Sequence, residues 1–106
     1  MKQLLLVTLL LLSFSAYASD ADYILVIKDH RFQPNEVTIP AGKKVRLMIE
    51  NNDATPEEFD SHALNREKVV VGHSKATVNI GPLKPGRYTF VGEFHEDTAQ
   101  GVVIVK

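Results

Sequence analysis

The amino-acid sequence predicts an all-β domain, an antiparallel Greek-key β-sandwich of seven or eight short strands. Short runs of β-branched and aromatic residues recur along the chain, and turn residues interrupt them roughly every 8–12 residues. No segment keeps the 3.6-residue apolar period of a long helix, and no internal repeat is present. Short strands with this punctuation are typical of sandwiches and barrels.

The N-terminal segment has the pattern of a secretory signal peptide. A single basic residue, Lys2, precedes the apolar run from Leu4 to Leu12, and Ala16-Tyr17-Ala18 has the small-x-small form of a cleavage site. The run is shorter than the roughly 20 residues that span a bilayer. We therefore expect a signal peptide over residues 1–18 and no membrane span in the mature chain, residues 19–106; the alternative is an uncleaved anchor helix.

Three strands are predicted in the first half of the domain. Pro40 cannot donate to a strand ladder, and Gly42 can adopt the positive φ of a tight turn, so together they end the second strand. Apolar and polar residues alternate through the third, which is the period of a half-buried strand. The three segments are Tyr23–Ile27, Val37–Ile39 and Val45–Glu50.

The second half begins with the polar loop 51–56 and ends with four clear strands. Residues 57–64 between them fit either a strand or a turn of helix. The strands are Lys68–Val71, Ala76–Ile80, Tyr88–Val91 and Gly101–Val105. The predicted core consists of Leu25, Ile27, Val37, Ile39, Val45, Leu47, Ile49, Val78, Ile80, Tyr88, Phe90, Val103 and Val105.

Composition excludes several classes of function. The chain has no cysteine, so it has neither disulfides nor thiolate chemistry. Its formal net charge of −1 gives no basic stripe, so we expect no nucleic-acid partner. Ser61-His62 and the aspartates form no recognisable nucleophile motif, which argues against a hydrolase.

Several segments, taken in order, resemble the cupredoxins over nearly all of the mature chain. They are Phe32-Gln33-Pro34, Pro40-Ala41-Gly42-Lys43, Asn51-Asn52-Asp53 and Lys84-Pro85-Gly86-Arg87-Tyr88-Thr89-Phe90. Thr55–Ser61 and Leu64–Val70 narrow the resemblance to cupredoxin-like domains of the EfeO type, and Phe94–Ala99 fits the stand-alone version. That resemblance implies a periplasmic protein of ferrous-iron uptake, with a copper or iron ion as cofactor. It also implies two partners, a periplasmic iron-binding protein and an iron permease of the Ftr type.

The sequence departs from the electron-carrying cupredoxins at the metal ligands. A blue-copper site needs a cysteine, two histidines and a weak axial ligand. The position that resembles the family's cysteine is Gly92, the following histidine is His95, and the later methionine is absent. The zone of the first family histidine holds Glu57 and Glu58. Carboxylates with imidazole suit iron, copper(II), manganese or zinc, so we predict a metal site without blue copper.

The Greek-key path predicts that the acidic loops meet at one end of the sandwich. Carboxylates crowded together repel one another unless a cation lies among them, which is the physical case for a metal site. Phe59 is expected to face the core, so Glu57 should face inward and Glu58 outward. The predicted ligands are His95, Glu57, Glu58, Glu93, His30 and Glu96; Asp29, Asp53, Asp97 and His73 should lie at the same end.

Three functions stay open on the sequence alone. The first is a periplasmic copper- or iron-binding protein that supports ferrous-iron uptake. The second is an enzyme, a copper-dependent ferroxidase, against which stands the lack of a second copper cluster for O₂ reduction. The third is a metal-free interaction module whose acidic end docks a basic transport partner. A separate alternative to the ligand role of Glu57 and Glu58 is an exposed loop pair.

Overall fold

The computed structural model describes residues 21–106, which form two packed β-sheets and one short 3₁₀ helix. The predicted signal peptide lies outside these residues. The strands are β1 (Tyr23–Lys28), β2 (Arg31–Gln33), β3 (Glu36–Ile39), β4 (Val45–Asn51), β5 (Glu57–Ser61), β6 (Arg66–Val70), β7 (Ser74–Ile80), β8 (Gly86–Gly92) and β9 (Gln100–Val105), and the 3₁₀ helix is Glu93–His95. Within this part of the chain no helix is long and apolar enough to cross a membrane.

The two sheets confirm the predicted β-sandwich. One sheet has the order β2-β1-β4-β7 and the other the order β3-β9-β8-β5-β6. The described strands number nine, and the sheets are mixed, because β1 pairs with β4 and β3 with β9 in parallel. The chain leaves the first sheet after β2, contributes β3 to the second and returns as β4 beside β1. Such a crossover is the connection that parallel neighbours need.

The core fills the space between the sheets. Of the predicted core residues only Tyr88 is half-buried, and its hydroxyl donates a hydrogen bond to the carbonyl of Lys84 at 2.7 Å. The uncertain segment 57–64 begins with a strand, because Phe59 alternates inward and packs on Phe90 with ring centroids 5.0 Å apart. Buried apolar residues beyond the predicted list are Phe32, Phe59, Leu64, Val70 and Ala99.

The loops that carry the predicted metal ligands lie at one end of the sandwich, as the Greek-key path predicts. Strands β1, β4, β6 and β8 run toward this end, and β2, β5, β7 and β9 lead away from it. We call it the loop end and define it as residues 29–30, 51–56, 71–73 and 93–99. A hydrogen bond of 2.7 Å from Thr98 Oγ1 to the His30 carbonyl joins the two sheets there.

Candidate functional site

Glu57 is a buried carboxylate at the centre of the loop end. As predicted it faces inward with Phe59, and it is 1% exposed. Its Oε1 accepts hydrogen bonds from the backbone N–H groups of Glu58 (3.0 Å) and Phe94 (2.9 Å). Its Oε2 lies 2.6 Å from Nδ1 of His95. Because burial of a carboxylate is costly without such donors, these three bonds account for its presence in the core.

His95 occupies the last position of the 3₁₀ helix, where the fold fixes its backbone. Its carbonyl accepts hydrogen bonds from the N–H groups of Thr98 (3.2 Å) and Ala99 (2.8 Å). The Ala99 carbonyl in turn accepts from the Gly92 N–H at 2.8 Å, which closes the loop onto the end of β8. The side chain is 26% exposed, with Nδ1 directed at Glu57. Within residues 21–106 no hydrogen bond involves its Nε2.

His30 lies against His95 across the two sheets. The imidazole rings stack with centroids 3.5 Å apart and planes 10° from parallel. Nitrogen lone pairs lie in the ring plane, so stacked rings present them side by side, without a common point of convergence. The Nε2 atom of His30 is 3.4 Å from Oγ1 of Thr55. The two histidines are therefore neighbours in space but are not placed as a chelating pair.

The backbone that presents His30 is a two-residue hairpin turn between β1 and β2. Asp29 and His30 both have positive φ, 52° and 57°, as a type I′ turn requires. That conformation is unfavourable for residues other than glycine, at about 1–2 kcal/mol each. The turn is held by Asp53, whose Oδ1 accepts from the Asp29 N–H at 2.9 Å and whose Oδ2 accepts from the His30 N–H at 3.0 Å.

Asp53 is itself held by Asn51 at the end of β4. Oδ1 of the buried Asn51 accepts from the Asp53 N–H at 3.0 Å, and its Nδ2 donates to the carbonyls of Thr55 and Val70. Partial burial raises the pKa of Asp53, but the N–H groups of His30 and Asp29 outweigh it and hold that pKa below its ordinary value. This carboxylate thus acts as a fixed anion that supports the His30 turn.

The other predicted carboxylates lie on the outside of the loop end. Glu58 alternates away from Glu57 and shares a hydrogen bond with Glu93, which raises the pKa of Glu58 to about 7; partial desolvation and the charges of Glu93, Glu67 and Asp60 add to the shift. Glu96 is exposed, and its carbonyl accepts from Nε2 of Gln100 at 2.8 Å.

The structure brings together three of the six predicted ligands and separates the rest. His95, Glu57 and His30 are in contact, Glu58 and Glu93 form an outer pair, and Glu96 points to solvent. In the described part of the chain no three imidazole or carboxylate groups converge on one point as a metal site. The roles of Asp53 and Gly92 were not predicted. The only signal for Asp53 was its place two residues after Asn51, a spacing typical of an Asx turn.

The surroundings of Gly92 leave no room for the cysteine side chain that a blue-copper centre needs. A Cβ atom at this position would lie 2.6 Å from Cδ of Glu57, 2.9 Å from its Oε1 and 2.7 Å from Cβ of Ala99. The Glu57 carboxylate thus occupies the space into which a cysteine side chain would project. The described residues offer imidazole and carboxylate donors, which is the chemistry of a harder metal site.

Auracyanin A and amicyanin are two solved structures with the same fold. Auracyanin A, a "blue" copper protein from Chloroflexus aurantiacus, is 17% identical, with a TM-score of 0.68 over 78% of this chain and 96% of that chain. Amicyanin from Paracoccus versutus is 20% identical, with a TM-score of 0.64 over 83% of each chain. At these identities the likeness establishes the fold.

The chain also matches a sequence relative and the model of a domain family. The uncharacterized protein RP394 of Rickettsia prowazekii (strain Madrid E) is 53% identical over 81 residues, or 76% of this chain and 65% of that protein. The chain thus spans just under two thirds of this relative's length. The model of the cupredoxin-like domain matches residues 2–105. Nearly the whole sequence is covered, and the nine-stranded sandwich agrees, so the protein belongs to the cupredoxin-like domain family.

Proposed function

We propose that this protein is an exported metal-binding protein that serves ferrous-iron uptake and holds a copper or iron ion at the loop end through His95. The observation that carries the proposal is the 2.6 Å contact between Nδ1 of His95 and the buried carboxylate of Glu57. Histidines that bind metals almost always donate their other ring nitrogen to a carboxylate, carbonyl or water. His95 has this support inside the fold and a half-exposed ring outside it.

Exposed carboxylates are the candidates to complete the ligand set. Glu93 and Glu96 flank His95 in the chain and are free to change rotamer at the surface. The hydrogen bond to Glu93 raises the pKa of Glu58 to about 7, and a bound cation would take the place of the Glu58 proton. His30 needs a ring rotation to join them, because its ring is stacked on His95. Such donors favour Cu²⁺, Fe³⁺ or Zn²⁺ over Cu⁺.

The role in iron uptake rests on the resemblance to the EfeO-type domains. On that basis the mature protein would act in the periplasm, with a periplasmic iron-binding protein and an Ftr-type permease as partners. Anionic oxygen ligands prefer the higher charge of Fe³⁺, so a carboxylate–imidazole site would favour the oxidised ion. A ferroxidase would differ from a binding protein by repeated turnover. Fe²⁺ oxidation that stops at one equivalent in the presence of copper and O₂ would exclude an enzyme.

The test is calorimetric titration of residues 19–106 with Cu²⁺ and Fe³⁺, each supplied as a soluble chelate of known affinity. Wild type is compared with His95→Ala and with a matched control, His62→Ala. His62 is an exposed histidine at the opposite end, in the turn between β5 and β6. The proposal expects tight binding that His95→Ala abolishes and His62→Ala preserves. Equal binding by all three proteins, or no binding by any of them, would contradict it.

A second candidate, the metal-free interaction module, is favoured by exposed apolar side chains. Phe94, beside His95, is 49% exposed, and Val69, the strand partner of Glu58, is 52% exposed. An apolar surface bordered by carboxylates suits a partner with a basic, partly apolar face. Absence of any metal affinity, together with salt-sensitive binding of the permease that Phe94→Ser abolishes, would favour this function over the first.

A further inference from the structure

We infer that Glu57 holds His95 in the tautomer that carries its proton on Nδ1, so that Nε2 is the nitrogen that binds a metal ion, at the outer surface of the loop end. This inference rests on the proposed function and specifies its geometry. It assigns Glu57 as a positioning residue that orients His95 from behind. A bound ion would then lie outside the space of the missing cysteine, where water can reach it.

The hydrogen bonds of Glu57 use both of its carboxylate oxygens. An ionised carboxylate only accepts hydrogen bonds. Oε1 is taken by the N–H groups of Glu58 and Phe94, at 3.0 and 2.9 Å, and Oε2 faces Nδ1 of His95 at 2.6 Å. With Glu57 ionised, the hydrogen between Oε2 and Nδ1 is supplied by the imidazole.

Nε2 is the ring nitrogen of His95 that faces away from Glu57. A neutral imidazole has one donor nitrogen and one acceptor nitrogen, so a proton on Nδ1 leaves the lone pair on Nε2. No hydrogen bond occupies Nε2 within the described part of the chain, and the side chain is 26% exposed. The ring is fixed between Glu57 and the stacked ring of His30, so the lone pair is oriented before any ion arrives.

The space behind the His95 ring, beside Gly92, is already filled. Glu57 fills the volume beside Gly92, since a Cβ there would lie 2.6 Å from Cδ of Glu57. An ion cannot enter that volume unless the carboxylate gives up its three hydrogen bonds. The outward nitrogen is the accessible one. A borderline divalent ion such as Cu²⁺ or Zn²⁺ is the class that imidazole with exposed carboxylates would take.

The experiment measures the tautomer directly, by two-bond ¹H–¹⁵N correlation spectra of the imidazoles at a pH where His95 is neutral. The wild-type protein is expected to show the proton on Nδ1, and Zn²⁺ is expected to shift the Nε2 resonance. Glu57→Gln has nearly the same shape, and its amide oxygen must face the two backbone N–H groups. Its NH₂ group then donates to Nδ1 and moves the His95 proton to Nε2. Zn²⁺ affinity should fall about 10- to 100-fold.

Glu36→Gln is the matched control, because Glu36 is an exposed carboxylate at the start of β3, opposite Val102 of β9. It should keep both the wild-type tautomer and the wild-type affinity. A wild-type proton on Nε2, or a Zn²⁺ shift at Nδ1, overturns the inference and leaves the proposed function standing. A proton on Nδ1 with no binding of Zn²⁺ or Cu²⁺ overturns the proposed function and the metal-binding part of the inference. Wild type alone gives these results even if Glu57→Gln fails to fold.

Discussion

The carboxylate of Glu57 lies in the space that any side chain at position 92 would need. A Cβ atom on Gly92 would be 2.6 Å from Cδ of Glu57 and 2.9 Å from its Oε1, closer than non-bonded atoms approach. The bare backbone of Gly92 is what lets this carboxylate reach the Phe94 N–H and the ring of His95. The two residues therefore depend on each other sterically.

This dependence predicts coupled effects on stability. Gly92→Ala should reduce the free energy of unfolding by about 1–3 kcal/mol, because it overpacks a filled site. In a Glu57→Ala background the same change should cost less, since the two contacts with the Glu57 carboxylate are gone while the contact with Ala99 stays. The coupling should be on the order of 1 kcal/mol in a double-mutant cycle. Urea unfolding of the four proteins measures it, and an equal cost of Gly92→Ala in both backgrounds would contradict the steric account.

The same geometry predicts how a thiolate–copper site could be rebuilt. Glu57→His with Gly92→Cys would remove the obstructing carboxylate and supply two histidines and a cysteine, the equatorial set of a blue-copper centre. We expect the double variant to develop an intense visible thiolate-to-copper band with Cu²⁺. Gly92→Cys alone should develop none, because Glu57 still occupies the space. Absorption spectra of both variants give the answer, and a band in the single variant would show that Glu57 moves aside.

Asp53 is predicted to control the position of His30. Asp53→Asn replaces an acceptor of two backbone hydrogen bonds by a group with one acceptor, and should cost about 1–2 kcal/mol at pH 7. The nuclear Overhauser contacts between the His30 and His95 rings should weaken. Asp97→Asn, an exposed acid at the same end, is the control and should change neither.

The cost of Asp53→Asn should depend on pH. The pKa of Asp53 is lowered in the folded protein, so its carboxylate stabilises the fold above the unfolded pKa of about 3.9. That contribution is lost as pH falls through the folded pKa. The difference in unfolding free energy between wild type and Asp53→Asn should therefore be smaller at pH 3 than at pH 7. A difference that stays constant across this range would contradict the assignment.

The raised pKa of Glu58 predicts a pH dependence of stability that is opposite in sign to that of Asp53. Its pKa rises from 4.5 to about 7 in the folded state, where Glu93 holds it protonated. The unfolded chain releases this proton earlier, so wild-type stability should fall as pH rises from about 4.5 to about 7. Glu58→Gln should remove this part of the fall. Unfolding free energies at pH 5 and pH 8 test the prediction, and identical pH profiles of the two proteins would refute it.

The sandwich was predictable because strand alternation is a local property. Val45, Leu47 and Ile49 are buried at every second position of β4, and Leu25 and Ile27 are buried at every second position of β1. The sheet order was harder to predict. The parallel pairing of β1 with β4 depends on where the chain crosses between sheets, and short strands with similar apolar patterns do not specify that crossing.

The candidate site was predictable only in part. The alternation of side chains along β5 predicted that Glu57 faces inward and Glu58 outward, because neighbouring residues of a strand face opposite sides. It did not indicate that the inward carboxylate would bond His95, which lies 38 positions further along the chain. The stacking of His30 on His95 was likewise unpredictable, since it depends on how the two sheets approach at the loop end.

The sequence by itself determined the class of fold, the buried alternation of its strands and the loss of thiolate chemistry, because these follow from residue types and their local spacing. The tertiary structure alone decided which acids became partners. Glu57 turned to the space beside Gly92 and bonded His95, Asp53 took up the His30 turn, and Glu58 paired with Glu93. A carboxylate's role depends on the donors and charges around it, and only the packing of the sheets sets those neighbours.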